Sequence, residues 1–278
     1  MAVGLLVVGC TSAPALEEVL LPEQSTKQGA ARAVPNDPIA EVDHRVRLAV
    51  ERADEEPENG PSQLAAARAL AAAADLRLLV GQLQCVSDAD LTVDDWVDLE
   101  DDLPAALKSG VHGLVSAGLH YAERAAIHMP SNAEALYLSA FHLSLVAWAE
   151  GPAAAVLRGR GPDLAKRMRT LGEQTDGWQA AGLDPSAPWR LRGRFLDRAP
   201  WPYGDAKEAI RLLQVATERS HAPINYLFHG DALWSAGRQA DAVDAWRRGE
   251  TAAAPTDNEA NARRDLIRAR LAAFGSRY

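Results

Sequence analysis

The sequence predicts an all-α chain of antiparallel helix pairs stacked as a solenoid. Three observations carry that prediction. Apolar residues recur at helical spacing along most of the chain, and strict alternation is nearly absent. Alanine supplies much of the 47% hydrophobic fraction, and aromatics make up only 6%. That composition suits closely packed helices, because strands favour β-branched and aromatic residues. Finally, the helical segments pair with a period of about 34 residues.

Residues 38–54 place Ile39, Val42, Val46 and Val50 on one face, and Pro38 suits a helix start. The turn EEPENGP follows, then a helix over 62–84 that Ser62 would cap; the two helices form an antiparallel pair. Eight acids lie between Asp88 and Asp102. A calcium loop needs Gly at its sixth position and Glu at its twelfth, and that Gly is missing. The stretch therefore reads as a solvated acidic loop or helix start, with Leu91, Val93, Trp96 and Leu99 turned to the core. Helices over 103–128 and 133–150 come next. GPAAAVLRGRGP at 151–162 is the least regular piece and reads as an insertion or hinge. Helices are then expected near 162–181, 185–197, 205–219, 223–236, 238–250 and 256–274. The last carries Arg263, Arg264, Arg268 and Arg270 and reads as a polar capping helix.

The chain begins MAVGLLVVGCTSAP. Val7-Val8-Gly9-Cys10 fits a bacterial lipobox: the thiol forms the thioether to diacylglycerol, and the peptidase needs a small residue before it. This makes residues 1–10 a lipoprotein signal segment and Cys10 the lipidation site. The segment is short and lacks Lys or Arg, which a start upstream of Met1 would explain. Residues 11–37, rich in Pro, Ala and polar residues, read as a flexible tether. Thr11, in place of Asp, points to the outer membrane in a cell that has two. The remainder, 38–278, is one helical-repeat domain: divergent helices at 38–102, repeat-like pairs at 103–255 and the cap at 256–278.

Net charge is −9 and the pI about 5.3, which argues against nucleic-acid binding, since that usually needs a basic face. Lipidation of Cys10 would leave Cys85 without an intramolecular disulfide partner. Cys85 reads as inert and buried, because neighbouring acids raise a thiol's pKa. After residue 10, no apolar run approaches the ~18 residues of a membrane span. His112, His120 and His128 recur every eight residues, a drift of about 80° per step, so they spiral around their helix rather than share a face. No zinc-type spacing, phosphate loop or nucleophile elbow is present. The sequence offers no argument for an enzyme and none for a cofactor or metal.

The repeats carry the strongest pattern. DALWSAGRQADAVDAWRRGETAAAP has Gly237 at the turn, Ala242 and Trp246 four apart, then Gly249 and Pro255. Gly230 and Leu233 precede them. This is close to a tetratricopeptide repeat, in which small residues let two helices approach and a bulky one fills the groove to the next pair. The preceding pair offers Trp189, Gly193 and Leu196, then Ala209, Leu213 and Ala216, with APWPYGD inserted between. A generic Ala-rich bundle is the competing reading.

That insertion, Pro200, Trp201, Pro202, Gly204 and Asp205 with Gly193 before and Ala209 after, resembles the T-component lipoproteins of TRAP transporters. Pro130, Asn132, Glu134 and Ala135 are similar to a second turn of that family. The likeness spans about residues 110–255; residues 38–102 match nothing in it. The resemblance implies a lipid-anchored periplasmic protein of stacked repeats, associating as a homotrimer around a hydrophobic pore. It also implies a periplasmic solute-binding protein as partner. Read physically, the two prolines fix a stiff, extended loop, Gly204 permits positive φ, and Asp205 caps the following helix. Trp201 either plugs the core or contacts a ligand. Trp201, Tyr203, Trp189 and Tyr226 are the candidate ligand or partner contacts. A general repeat adaptor in envelope assembly, or a cytosolic repeat adaptor, fits the same residues without the turn.

Overall fold

The computed structural model describes residues 38–85, 91–173, 184–252 and 258–275. Cys10 and the tether lie outside these residues. The described residues form twelve helices and no strand. They are α1 (Pro38–Glu55), α2 (Gly60–Cys85), α3 (Val93–Asp102), α4 (Ala105–His128), α5 (Ala133–Glu150) and α6 (Pro152–Leu157), followed by α7 (Arg160–Glu173), α8 (Ala187–Arg198), α9 (Ala206–Arg219), α10 (Pro223–Ser235), α11 (Gln239–Thr251) and α12 (Asn258–Gly275). None is long and apolar enough to cross a membrane.

Local signals explain the helix ends. Asn132 caps α5 by accepting the Ala135 N–H at 2.9 Å, and Asp205 caps α9 by accepting from Glu208 at 3.0 Å. Thr92 and Asp95 form a reciprocal capping box on α3. The cap expected from Ser62 falls to Asn59, whose side chain accepts the Ser62 N–H at 3.3 Å. Ser62 itself lies inside α2 and donates its hydroxyl to Glu56. Residues 151–162 are not irregular. Gly151 and Gly159, at φ +82° and +67°, break the chain into short α6 and the start of α7.

Neighbouring helices pack in sequence, with one exception. α1 lies against α2, α4 against α5 and α5 against α7; α8 to α12 each pack on the next. α1 and α2 are antiparallel, because Gln63 reaches the Ala53 carbonyl while Arg77 reaches Asp43. The exception is α3. α2 packs chiefly on α4, and α3 joins α10, α12 and the end of α2. There Val93, Trp96 and Leu99 enter a core with Trp234, Trp246 and Ile267. The α3 acids are not simply solvated. Asp94 accepts from Trp234 Nε1 at 2.7 Å, and Asp98 and Glu100 meet Arg198 and Arg194.

α12 is no polar cap. Leu266 and Ile267 are fully buried, Arg263 bonds Asp75 of α2 at 2.7 Å, and Arg270 bonds Asp231 of α10 and the Trp96 carbonyl. The helix clasps the two halves of the chain together.

Glycines set the closest approaches. A Cβ on Gly230 would stand 2.2 Å from Trp246 Nε1, and one on Gly193 would stand 2.6 Å from Leu213. Gly230→Ala is therefore expected to cost about 1–3 kcal/mol, because the fully buried Trp246 ring has nowhere to move. Gly110→Ala, in the interior of α4 with nothing within 4 Å of the added methyl, is expected to stabilise by about 0.5–1 kcal/mol. Urea unfolding of the two variants checks both signs.

Candidate functional site

The two halves leave a cleft of ≈ 460 Å³ between them. The end of α3, the start of α4, the second half of α5, the α6–α7 junction, α8 and the turn after α8 form its walls. Most of the wall is apolar: Leu145, Ala147, Trp148, Leu164, Leu191 and Phe195. Leu191 and Phe195, four apart on α8, face the cleft on one turn of helix, and Arg194 and Arg198 line it beside them.

The turn after α8 closes one side. Tyr203 N–H donates to the Pro200 carbonyl at 2.9 Å, and Asp205 N–H donates to Leu196 at 3.0 Å. The turn is therefore folded back rather than extended, with a cis Trp201–Pro202 bond. Gly204 has no positive φ. What excludes a side chain there is closeness, since a Cβ would lie 2.2 Å from the Ala199 carbonyl oxygen. Gly161 is likewise open to the Tyr203 ring, which a Cβ would approach to 2.6 Å.

This arrangement sorts the residues of the turn. Tyr203 and Pro200 line the cleft, whereas Trp201 does not plug a core and stands 90% exposed outside it. Leu157, at the end of α6, is 88% exposed as well. Trp189 and Tyr226 are elsewhere: Arg192 lies over the Trp189 ring at 5.8 Å, and the Tyr226 hydroxyl pairs with His221 at 2.8 Å. His221 sits in the loop before α10. Gly237, at φ +77°, turns α10 into α11. Trp148, Phe195, Lys108, Arg194 and Glu100 were not legible as site residues. The paired spacing of Leu191 with Phe195 and Arg194 with Arg198, just before the turn, was the available signal.

The charges of the wall are strongly coupled. Arg194 bonds Glu100 at 2.9 Å and Asp197 at 3.0 Å. Arg198 bonds Asp98 at 2.9 Å and the Val97 carbonyl, and lies 3.6 Å from Asp101. Burial alone would raise the Glu100 carboxyl, but Arg194 and Arg198 pull it down to about 2. Asp197 goes the other way: its burial outweighs the same two arginines and raises it. Glu150, almost wholly buried, takes Arg158 at 2.5 Å and Arg160 at 3.2 Å, and these hold it low against its desolvation. Lys108 donates to the Asp101 carbonyl and lies 5.7 Å over the Trp148 ring.

No His or Cys lines the cleft, and the hydroxyl of Ser144 donates to the Phe141 carbonyl. Among the described residues, no three His, Cys, Asp or Glu side chains converge as a metal site. The Cys85 thiol is half-buried at the end of α2, within 3.5 Å of the Gly81 carbonyl. The arrangement offers shape, apolar area and paired charge: the means to hold a molecule. No protein-family model and no curated protein matches the chain.

Proposed function

We propose that the chain is a non-enzymatic helical-repeat binding protein, anchored through lipidated Cys10 on the periplasmic side of the cell envelope. Its helix pairs form a tetratricopeptide-like solenoid, and its cleft holds a hydrophobic small molecule. The turn at 200–205 supports a T-component role in a TRAP-type uptake system, with a periplasmic solute-binding protein as partner and a homotrimer as the assembled form. The carrying observation is the mostly apolar cleft, because a concave site of ~300–1,000 Å³ lined mainly by apolar and aromatic side chains is the usual form of a ligand pocket. The exposed Trp201 favours a second reading, an envelope adaptor that docks a protein through this turn.

The test is direct. The neutral dye N-phenyl-1-naphthylamine is expected to brighten on the wild type and to lose at least ~10-fold in affinity in Ala147→Trp and Ala155→Trp, which fill the cleft. Trp201→Ala is expected to leave dye binding unchanged. A dye that binds all variants alike, with unchanged circular dichroism, rejects the cleft as the site. Recovery of no solute-binding protein from envelope extract rejects the transporter role. Palmitate label that survives Cys10→Ser rejects lipidation at that residue.

A further inference from the structure

Two tips of the chain expose large apolar side chains beside a run of positive charge. Short α6 ends on Val156 and Leu157, 58% and 88% exposed, and the turn after α8 carries Trp201, 90% exposed. The tips are neighbours. Gly161, four residues after Leu157, closely faces the ring of Tyr203, two residues after Trp201. Residues 156–170 hold five cations, Arg158, Arg160, Lys166, Arg167 and Arg169, against one acid, Asp163, in a chain whose net charge is −9. Part of that charge is neutralised at once: Arg158 and Arg160 share Glu150, and Arg167 is held by Glu123 and Asp163. The rest is not. α7 buries Leu164, Met168 and Leu171 on one face and exposes Pro162, Lys166 and Arg169 on the other. Lys166 and Arg169 make no ion pair or hydrogen bond among the described residues. The acids around the turn already have partners, since Asp98 and Asp101 lie 2.9 and 3.6 Å from Arg198 and Asp205 caps α9.

We infer that the end of α6, the outer face of α7 and the turn after α8 form a surface that docks on an anionic bilayer. Leu157 and Trp201 enter the boundary between headgroups and acyl chains, and Lys166 and Arg169 meet the lipid phosphates. Tryptophan is favoured at that depth, because its ring is apolar and its N–H stays hydrated. Lysine and arginine near the surface add attraction to anionic lipids. Apolar side chains on two separate tips suit a fluid bilayer, which needs no matching pocket, whereas a protein partner would need one for each tip. This goes beyond the lipid anchor proposed above, because it needs no acyl chain, and it is independent of what the cleft holds.

Vesicle sedimentation tests the surface on the full chain carrying Cys10→Ser, so that no acyl chain is attached. One set of vesicles is phosphatidylethanolamine with phosphatidylglycerol, and the other is phosphatidylcholine alone. The chain is expected to bind the anionic set at least ~10-fold more tightly, the effect of two free cations near the surface. Raising the salt from about 0.05 to about 0.5 M is expected to weaken that binding ~5-fold or more, because exposed charges are screened. The double variant Leu157→Ser, Trp201→Ser is expected to lose ~10-fold in affinity for the anionic set, with unchanged circular dichroism because both side chains are exposed. The double variant Lys166→Gln, Arg169→Gln is expected to cut the anionic preference ~5-fold or more and to leave binding to phosphatidylcholine unchanged, a split that a folding defect would not give. The apolar residues 2–9 are present in every variant. Equal binding by the parent chain and both double variants therefore assigns the membrane affinity elsewhere and overturns the inference. So does equal affinity for the two vesicle sets. Binding to neither set overturns it as well and leaves the turn to a protein partner. Failure of the dye to enter the cleft overturns the binding role alone.

Discussion

Arg270→Met is expected to lower the unfolding free energy by about 3–5 kcal/mol, the usual cost of breaking a buried ion pair from one side. Arg270 and Asp231 are 4% and 0% exposed, and they meet through two bonds, of 2.7 and 3.0 Å. Methionine matches much of the aliphatic stem but leaves the Asp231 carboxylate buried without its cation. The loss extends beyond the pair. The same guanidinium donates to the Trp96 carbonyl at 2.8 Å and lies over the Trp96 ring at 6.0 Å, so it ties α3 to α12. Urea unfolding measures the cost. The double variant Arg270→Met, Asp231→Leu is expected to recover most of it, because two apolar side chains in place of a buried pair are often neutral. A single variant within about 0.5 kcal/mol of the wild type would show that the pair contributes little.

The chain is also expected to lose stability in two stages as the pH falls from neutrality. His142 is fully buried, and burial lowers its pKa from 6.5 to about 4, against the hydrogen bond to the Ala67 carbonyl. His229 is lowered to about 4 as well, by burial and then by Arg238 and Arg248. An imidazole whose folded pKa is depressed contributes stability that is complete above pH 6.5. That stability is lost as the pH falls toward 4, because the unfolded chain takes up the proton first. For His142 the shift corresponds to about 3 kcal/mol. Glu100 adds a second stage. With its pKa lowered to about 2 by Arg194 and Arg198 against the cost of burial, its contribution is present above pH 4.5 and is lost between 4.5 and 2. Unfolding free energies measured at pH 7, 5.5 and 4 test the first stage. His142→Gln, whose amide can still donate toward Ala67, is expected to flatten that slope by up to about 3 kcal/mol. An unaltered slope would show that His142 is not the titrating group.

The second stage bears on the cleft, because Glu100 is one of its walls. Protonating Glu100 leaves Asp197 as the one carboxylate bonded to Arg194.

Helix type and most helix ends were legible in the sequence because their causes lie within a few residues. Pro38, Asn132, Asp205 and Gly237 act on their own turn of chain through φ restriction, capping or left-handed backbone. The small-against-bulky pairs were legible as well, since Gly230 faces Trp246 and Gly193 faces Leu213 across adjacent helices. The segment 88–102 shows where this reasoning stops. Its periodicity correctly turns Val93, Trp96 and Leu99 inward, but nothing in the spacing says that the core they enter joins the end of α2 to α10, α11 and α12.

The tertiary structure alone decided where the charges go. Asp94 meets Trp234, 140 residues on, and Asp75 meets Arg263, 188 residues on. Arg263 and Arg270 look like the polar face of a terminal helix until those partners are in place. The cleft follows the same rule, because its apolar residues come from four helices and a turn, and Arg194 and Arg198 meet Glu100 and Asp98 only when α3 lies against α8. Local chain physics determined that this sequence is helical and where most of its helices stop. The pairing of distant charges, whose energy depends on proximity in space and leaves no period along the chain, determined how those helices enclose a site.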